Sequence, residues 1–351
     1  MSKLSRDEII EKLSLSEAES LSALYDEANA VKTAAIGNKV FLRGLIELSN
    51  ICRKNCYYCG IRRENQAVNR YELSDEEVLA AVDFAWKNRY GSVVLQSGEQ
   101  QSAHFTQRIS HLLHQIKSHT NNEVGITLSC GEQTAATYQK WFHAGAHRYL
   151  LRIETSNREL YYKLHPDDDN HSFDTRLSAI RQLRDEGYQV GTGVMIGLPF
   201  QTIEHLADDL LFFRTMNIDM AGMGPYLEHS QTPLFQYRRL LLPAEKRLAL
   251  SLKMVATLRL LMPDINIAAT TALQVLHPEG REMAVLAGAN IVMPNMTLPS
   301  FRPEYRIYDH KPGVNDDAAL SKSKLEQNLR QAGIDIGYDE WGDSKHFIHT
   351  I

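Results

Sequence analysis

Cys52, Cys56 and Cys59 stand within eight positions of one another, in the run Asn50-Ile-Cys52-Arg-Lys-Asn-Cys56-Tyr-Tyr-Cys59-Gly60. Three thiolates can each bind one iron of a cubane cluster and leave the fourth iron without a protein ligand. An open coordination position suits a catalytic metal centre, whereas a structural centre closes its shell. A zinc knuckle is one alternative, but it calls for a fourth Cys or His in the loop. None follows there, and the remaining cysteine, Cys130, lies more than seventy residues on. A plain electron-transfer cluster is the other alternative. So few cysteines, with three of them clustered, do not make a disulfide framework.

The cysteines follow directly on the first of eight candidate strands, which are Val40–Glu47, Ser92–Leu95, Val124–Leu128, Arg148–Arg152, Gln189–Ile196, Met220–Gly224, Ile265–Ala269 and Asn290–Met293. Amphipathic stretches separate the strands: Asp75–Asn88, Phe105–Ser118, Thr134–Ala144, Phe173–Glu186, Ile203–Met216, Ala244–Leu261 and Arg281–Ala287. Ser74 with Glu77 reads as a capping box, and Gly145, Gly187 and Gly288 as helix stops. Eight strands alternating with helices predict an α/β fold, a complete (β/α)8 barrel of the TIM type. A doubly wound open sheet is the alternative. A cysteine loop after the first strand would sit on the C-terminal face, where such barrels build their sites. One domain is expected over 1–351. Residues 1–36 form two N-terminal helices, the second beginning at Leu15-Ser16. The barrel spans 40–300, and 301–351 form a polar C-terminal extension.

The spacing C-x-x-x-C-x-x-C after the first strand, with Tyr58 before the last Cys, resembles the signature of the radical S-adenosylmethionine (SAM) superfamily. That resemblance implies one four-iron four-sulfur cluster on Cys52, Cys56 and Cys59, with SAM chelating the open iron and giving a 5′-deoxyadenosyl radical on reduction. It also implies a reductant such as ferredoxin or flavodoxin. Further residues take roles from the same likeness. Tyr58 belongs to the cofactor-binding set. Ser97-Gly98-Glu99 is similar to the superfamily's Gly-Gly-Glu element for the SAM ammonium, with Ser in place of the first Gly; otherwise it is a strand-ending turn with a solvated Glu. Arg152 and Glu154 fall on one face of a strand. A charged pair there costs desolvation unless each charge finds a partner, and SAM offers both kinds; a rim salt bridge is the alternative. Arg176, by resemblance, binds the SAM carboxylate, which the guanidinium fork suits; by spacing alone it is a helix-surface arginine. Gly191–Pro199 lacks the Lys-Ser/Thr of a P-loop and resembles the glycine-rich stretch that lets adenosine approach the backbone, with Met195 inside it. Met223 resembles an adenine contact. Buried core is the alternative for both methionines.

Longer runs tighten the likeness. Ile46–Asn65, Val94–Glu99, Arg148–Thr155, Met195–Thr202, Asp219–Pro233, Ala268–Ala272 and Ala287–Asn295 resemble the HydE family of FeFe-hydrogenase maturases. The resemblance implies a large cavity below the SAM site and partner maturases. It implies a small organometallic substrate, a cysteine-bound iron carbonyl cyanide, attacked at sulfur by the adenosyl radical. Arg53, Thr270 and Thr271 would suit anion or cyanide contacts, although Thr-Thr in a strand is commonly β-propensity alone. Some members carry C-terminal cysteines for a second cluster. Here Phe301 onward holds none, so one cluster is expected. The rivals are a methylornithine-synthase-like mutase, biotin synthase (which needs extra barrel cysteines) and a non-catalytic cluster carrier.

Composition sets the outer bounds. With 43% hydrophobic and 23% charged residues the chain reads as ordinary globular protein. A formal charge of −5 without a basic block argues against a nucleic-acid partner. No apolar run reaches the roughly 18–20 residues of a membrane span. The charged N-terminus lacks a signal-peptide core, so the expected location is the cytoplasm.

Overall fold

Lys39–Ser49 forms β1. Its Val40, Leu42, Ile46 and Leu48 join the main apolar core, while Arg43, Leu45 and Glu47 turn toward cavities and polar groups inside the sheet's curve. A two-residue period of this kind lets one strand serve a helical outer layer and a filled interior. The computed structural model describes residues 4–313 and 318–348. Met1–Lys3, at the start of the expected N-terminal helices, and 314–317 and 349–351, in the expected C-terminal extension, lie outside the described residues.

The strands that follow are β2 (Ser92–Ser97), β3 (Gly125–Ser129), β4 (Arg148–Leu150), β5 (Gln189–Thr192), β6 (Met220–Ala221), β7 (Asn266–Ala269) and β8 (Ile291–Val292). Each pairs in parallel with the next. β8 returns to β1 through Phe41–Ile291 and Leu42–Val292, which closes the barrel. The fold is therefore a complete (β/α)8 barrel and not an open sheet. Its helices start and stop where local chemistry directs. Ser74 and Glu77 make both bonds of the capping box, and Gly145 and Gly288 end helices at φ of 114° and 121°, a region open to glycine.

Three local expectations change. The expected strands Gln189–Ile196 and Met220–Gly224 each break in two, and Met195–Ile196 pairs with Gly224–Pro225 as a separate short ladder. At the break the Arg152 guanidinium takes the carbonyls of Gly222 and Val194, so those oxygens leave the sheet. A Cβ on Gly193 would overlap the Gly222 carbonyl, so glycine here serves the close approach of two backbones. The second N-terminal helix begins at Ala18, behind Glu17, which makes no side-chain cap. That helix (Ala18–Ile36) packs on the helix Ala244–Leu261, which is why almost every residue of the latter is buried.

The C-terminal segment does not lie apart from the barrel. Ile307 O accepts from Gly60 N–H at the top, 3.0 Å away. At the other end Asp335–Ile336 pairs with the start of β1, and residues 341–344 plug the lower mouth. Gly342 O accepts from Arg43 (2.9 Å) and Asn266 (2.8 Å). Trp341 O accepts from Arg148 and Asp343 pairs with the same guanidinium at 2.5 Å. Polar composition here reflects many bonds to a ring of strand ends, not solvent.

Candidate functional site

The loop after β1 is held before any ligand arrives. Asn50 Nδ2 donates to Asn69 O and Glu304 O. Arg70 donates to the carbonyls of Asn50, Ile61, Arg62 and Asn65. Residues of neighbouring βα loops grip the cysteine stretch itself: Tyr57 N–H donates to Leu164 O, and Leu234 N–H to Tyr57 O. Arg53 N–H donates to Glu99 O, and Gly98 N–H to Ser49 O, which lays the cysteine loop along the β2 loop. A side chain on Gly98 would strike the Ile51 carbonyl. Ser97 is buried and its hydroxyl donates to Gly98 O at 2.8 Å.

Cys52, Cys56 and Cys59 are all free thiols, Cys56 buried and the other two half-buried. Burial pushes the Cys56 thiol up to about 12, and burial also raises Cys59 well above the usual thiol range. Cys52 is raised less, because backbone donors from Lys54 and Glu99 offset its burial; the Glu99 N–H lies 3.3 Å from its Sγ. Such thiols ionise only when strong positive charge comes with them, as iron supplies. Among the described residues no group of three or more His, Cys, Asp or Glu is drawn together to hold a metal ion. A cubane makes a different demand, since each thiolate takes its own iron.

Next to the cysteines lies a buried quartet of charges. Lys54 Nζ is 2.8 Å from Glu132 Oε2 and 3.3 Å from Glu99 Oε1. Arg176 Nε bonds Glu132 Oε1, its Nη1 donates to Arg152 O at 2.6 Å, and Glu132 N–H donates to Glu99 Oε2 at 2.9 Å. The four side chains are 4–9% exposed. Burial raises Glu99, only partly countered by Lys54. Glu132 is equally sunk, yet the Arg176 and Lys54 charges hold it below the carboxylate range. Despite its ion pair, Glu99 Oε1 makes no hydrogen bond among the described residues. A buried acceptor left unmade is costly, and this one lies 3.3 Å from Lys54 Nζ of the cysteine loop. An ammonium donor would satisfy it.

Arg152 and Glu154 pair through both oxygens at 2.9 Å. β4 ends at Leu150, so strand alternation is not what aligns them. Instead Glu154 takes a left-handed backbone (φ 67°), rare for a residue with a Cβ, and bridges to Val194. Behind it, Asp209 accepts from Ser156 N–H and Oγ, both at 2.6 Å, fixing the turn. Tyr58 sits edge-on to His165 and packs beside an apolar cluster that contains Met195, Leu160 and Tyr226. Met223 lies apart, in the main core.

The sequence-expected residues thus divide. Cys52, Cys56, Cys59, Ser97, Gly98, Glu99, Arg152, Glu154 and Arg176 come together, with Tyr58 and Met195 on their apolar flank. Arg53 is engaged with Gln101 and Asn170. Thr270 Oγ1 is buried against Gly224 with no hydrogen-bond partner among the described residues. Thr271 lines a cavity of about 390 Å³ with Met293, Asn295 and Lys311, which Arg53 does not reach. A separate small cavity of about 30 Å³ lies within the strands beside Arg43 and Asn266. Lys54 and Glu132 were missed. Gly131-Glu132 after β3 repeats the Gly98-Glu99 pair after β2, which was the available signal.

Residues 46–213 match the Radical SAM superfamily. The chain is 39% identical to the [FeFe] hydrogenase maturase subunit HydE of Thermotoga maritima, over 99% of this chain and 96% of that one. It is 31% identical to the 3-methylornithine synthase of Methanosarcina acetivorans, over 85% and 81% of the two chains. Among solved structures, the methylornithine synthase PylB superposes with a TM-score of 0.79 at 27% identity, covering 96% of this chain and 95% of that one.

Proposed function

Because the chain belongs to the radical SAM superfamily, we propose that it is a HydE-type enzyme of FeFe-hydrogenase assembly. As a radical SAM enzyme it binds a four-iron four-sulfur cluster and SAM. When bound and reduced, that pair supplies a 5′-deoxyadenosyl radical. Cys52, Cys56 and Cys59 hold the cluster, and the loop bonds around them keep the thiolates in place and the site dry. Glu99 Oε1, buried and without a hydrogen bond, accepts from the SAM ammonium. Arg176, locked at Nε and Nη1, has Nη2 left for the carboxylate. Arg152 and Glu154 orient the rest of the cofactor, with Ser97-Gly98 beside it and Tyr58 and Met195 on the apolar side. Met223 belongs to the main core and not to this wall.

The observation that carries the HydE reading is identity along nearly the whole chain to a named maturase. On that reading the substrate is a cysteine-bound iron carbonyl cyanide attacked at sulfur, supplied by a partner maturase, with Thr271 as its anion contact; Arg53 and Thr270 lie outside the lining of that cavity. Electrons come from a ferredoxin or flavodoxin. All segments, from the N-terminal helices to the C-terminal plug, act as one domain in the cytoplasm. The test is anaerobic maturation of an apo FeFe-hydrogenase with its other maturases, with and without this protein. Hydrogen production that depends on this protein and on SAM supports the assignment. A second reading, a methylornithine-synthase-like mutase, has the support of 31% identity and a close superposition. An inactive hydrogenase together with formation of 3-methylornithine would favour it.

A further inference from the structure

We propose that Glu132 is a positioning residue for the amino-acid end of SAM, acting through Arg176 and Glu99. The inference rests on the reading above that those two residues hold the SAM carboxylate and ammonium. Glu132 touches both at once. Its Oε1 accepts from Arg176 Nε, and its backbone N–H donates to Glu99 Oε2 at 2.9 Å. The Arg152 carbonyl takes Arg176 Nη1 at 2.6 Å. Two of the three guanidinium nitrogens are therefore engaged, while Nη2 makes no hydrogen bond among the described residues. A guanidinium fixed at two nitrogens loses little rotational freedom when the third binds.

Glu132 also settles the charge around the site. Glu99 and Glu132 are bonded neighbours in a buried setting, where two carboxylates repel. Lys54, between Cys52 and Cys56, lies within 3.3 Å of each and offsets that repulsion. With Lys54 and Arg176 against Glu99 and Glu132 the quartet is neutral, so it receives a zwitterion without a surplus charge. Gly131 makes the arrangement possible: at φ 72° it has no Cβ to collide with the Glu99 side chain crossing it. Both acceptors of Glu132 face donors. Glutamine, with one acceptor oxygen, can serve Arg176 or Lys54 but not both.

The experiment uses the full chain, reconstituted anaerobically, and equilibrium binding rather than turnover. Two probes are titrated: S-adenosylhomocysteine, which has the amino and carboxylate groups, and 5′-methylthioadenosine, which lacks them. Glu132→Ala should weaken S-adenosylhomocysteine about tenfold or more and leave methylthioadenosine within about twofold, with iron content unchanged. Glu132→Gln should fall between wild type and Ala. Arg176→Ala should match Glu132→Ala, and the double variant should be no worse than either alone. Equal loss of both probes would mean a structural role and overturns the proposal, as does no loss of either. If Arg176→Ala weakens S-adenosylhomocysteine and the Glu132 variants do not, the positioning role falls and the SAM assignment stands. If Arg176→Ala leaves binding intact, the assignment of Arg176 itself falls.

Discussion

At the scale of single residues, the site is a set of groups each held in a costly state by its neighbours. Burial lifts Cys56 to about 12, so the apo thiols stay protonated and soft until iron replaces the protons. Cys56→Ala should therefore abolish both the iron–sulfur absorbance and reductive SAM cleavage. Cleavage at wild-type rate in that variant would refute a cluster-based mechanism. Asp209 is a second residue held away from its usual charge. Burial raises its carboxyl to about 7, against the pull of Ser156 donors. A carboxyl raised in the folded state contributes stability below its unfolded value of roughly 4, and that contribution is lost as pH rises through 7. Asp209→Asn should thus be more stable than wild type at pH 8, by on the order of 2 kcal/mol. The gain should shrink as pH falls and disappear below about pH 4. Urea midpoints at the two pH values decide it.

At the scale of elements, the interrupted fifth and sixth strands do more than regular strands would. Giving up two ladder bonds lets Arg152 reach the carbonyls of Val194 and Gly222, and that in turn aims Glu154. Gly193 is the hinge of this arrangement, because the Gly222 carbonyl occupies the place of its missing Cβ. Gly193→Ala must push β5 and β6 apart. We expect a loss of about 2–3 kcal/mol, the range for overpacking against backbone, seen as a lower urea midpoint at unchanged slope. SAM affinity should fall with it, since Arg152 loses its seat. Wild-type stability in that variant would show that the strands part at no cost.

At the scale of the whole molecule, the barrel is closed at its lower mouth by the chain's own end. Arg148 is fully buried there and depends on Asp343. Burial would raise the Asp343 carboxyl, but the His147 hydrogen bond and the Arg148 charge hold it well below the usual range. A carboxyl depressed in this way contributes stability above roughly pH 4, and the contribution is lost as pH falls below that. Asp343→Asn should cost about 2–3 kcal/mol at pH 7, less than a fully enclosed pair because Asp343 keeps partial solvent contact. The gap from wild type should narrow as pH drops toward 3. A constant gap across that range would place the effect in packing and not in charge.

What the sequence determined by itself is whatever local spacing and periodicity encode. Eight strands, the helices between them, the Ser74 cap and the three-cysteine loop after β1 were legible because each depends on residues a few positions apart. Motif likeness added Glu99, Glu154 and Arg176. It did not reach Lys54 or Glu132, whose meaning lies in which charge faces which across separate loops. Nor did it separate Met195, beside Tyr58, from Met223, in the core. The C-terminal end read as a polar extension because composition cannot tell a solvated segment from one bonded to strand ends. Only the closed barrel decides that, by bringing Arg43, Arg148, Gln189 and Asn266 from four strands into one ring, where each bonds residues 341–344. Buried polar groups find partners by geometry, and that geometry exists only once the sheet has closed.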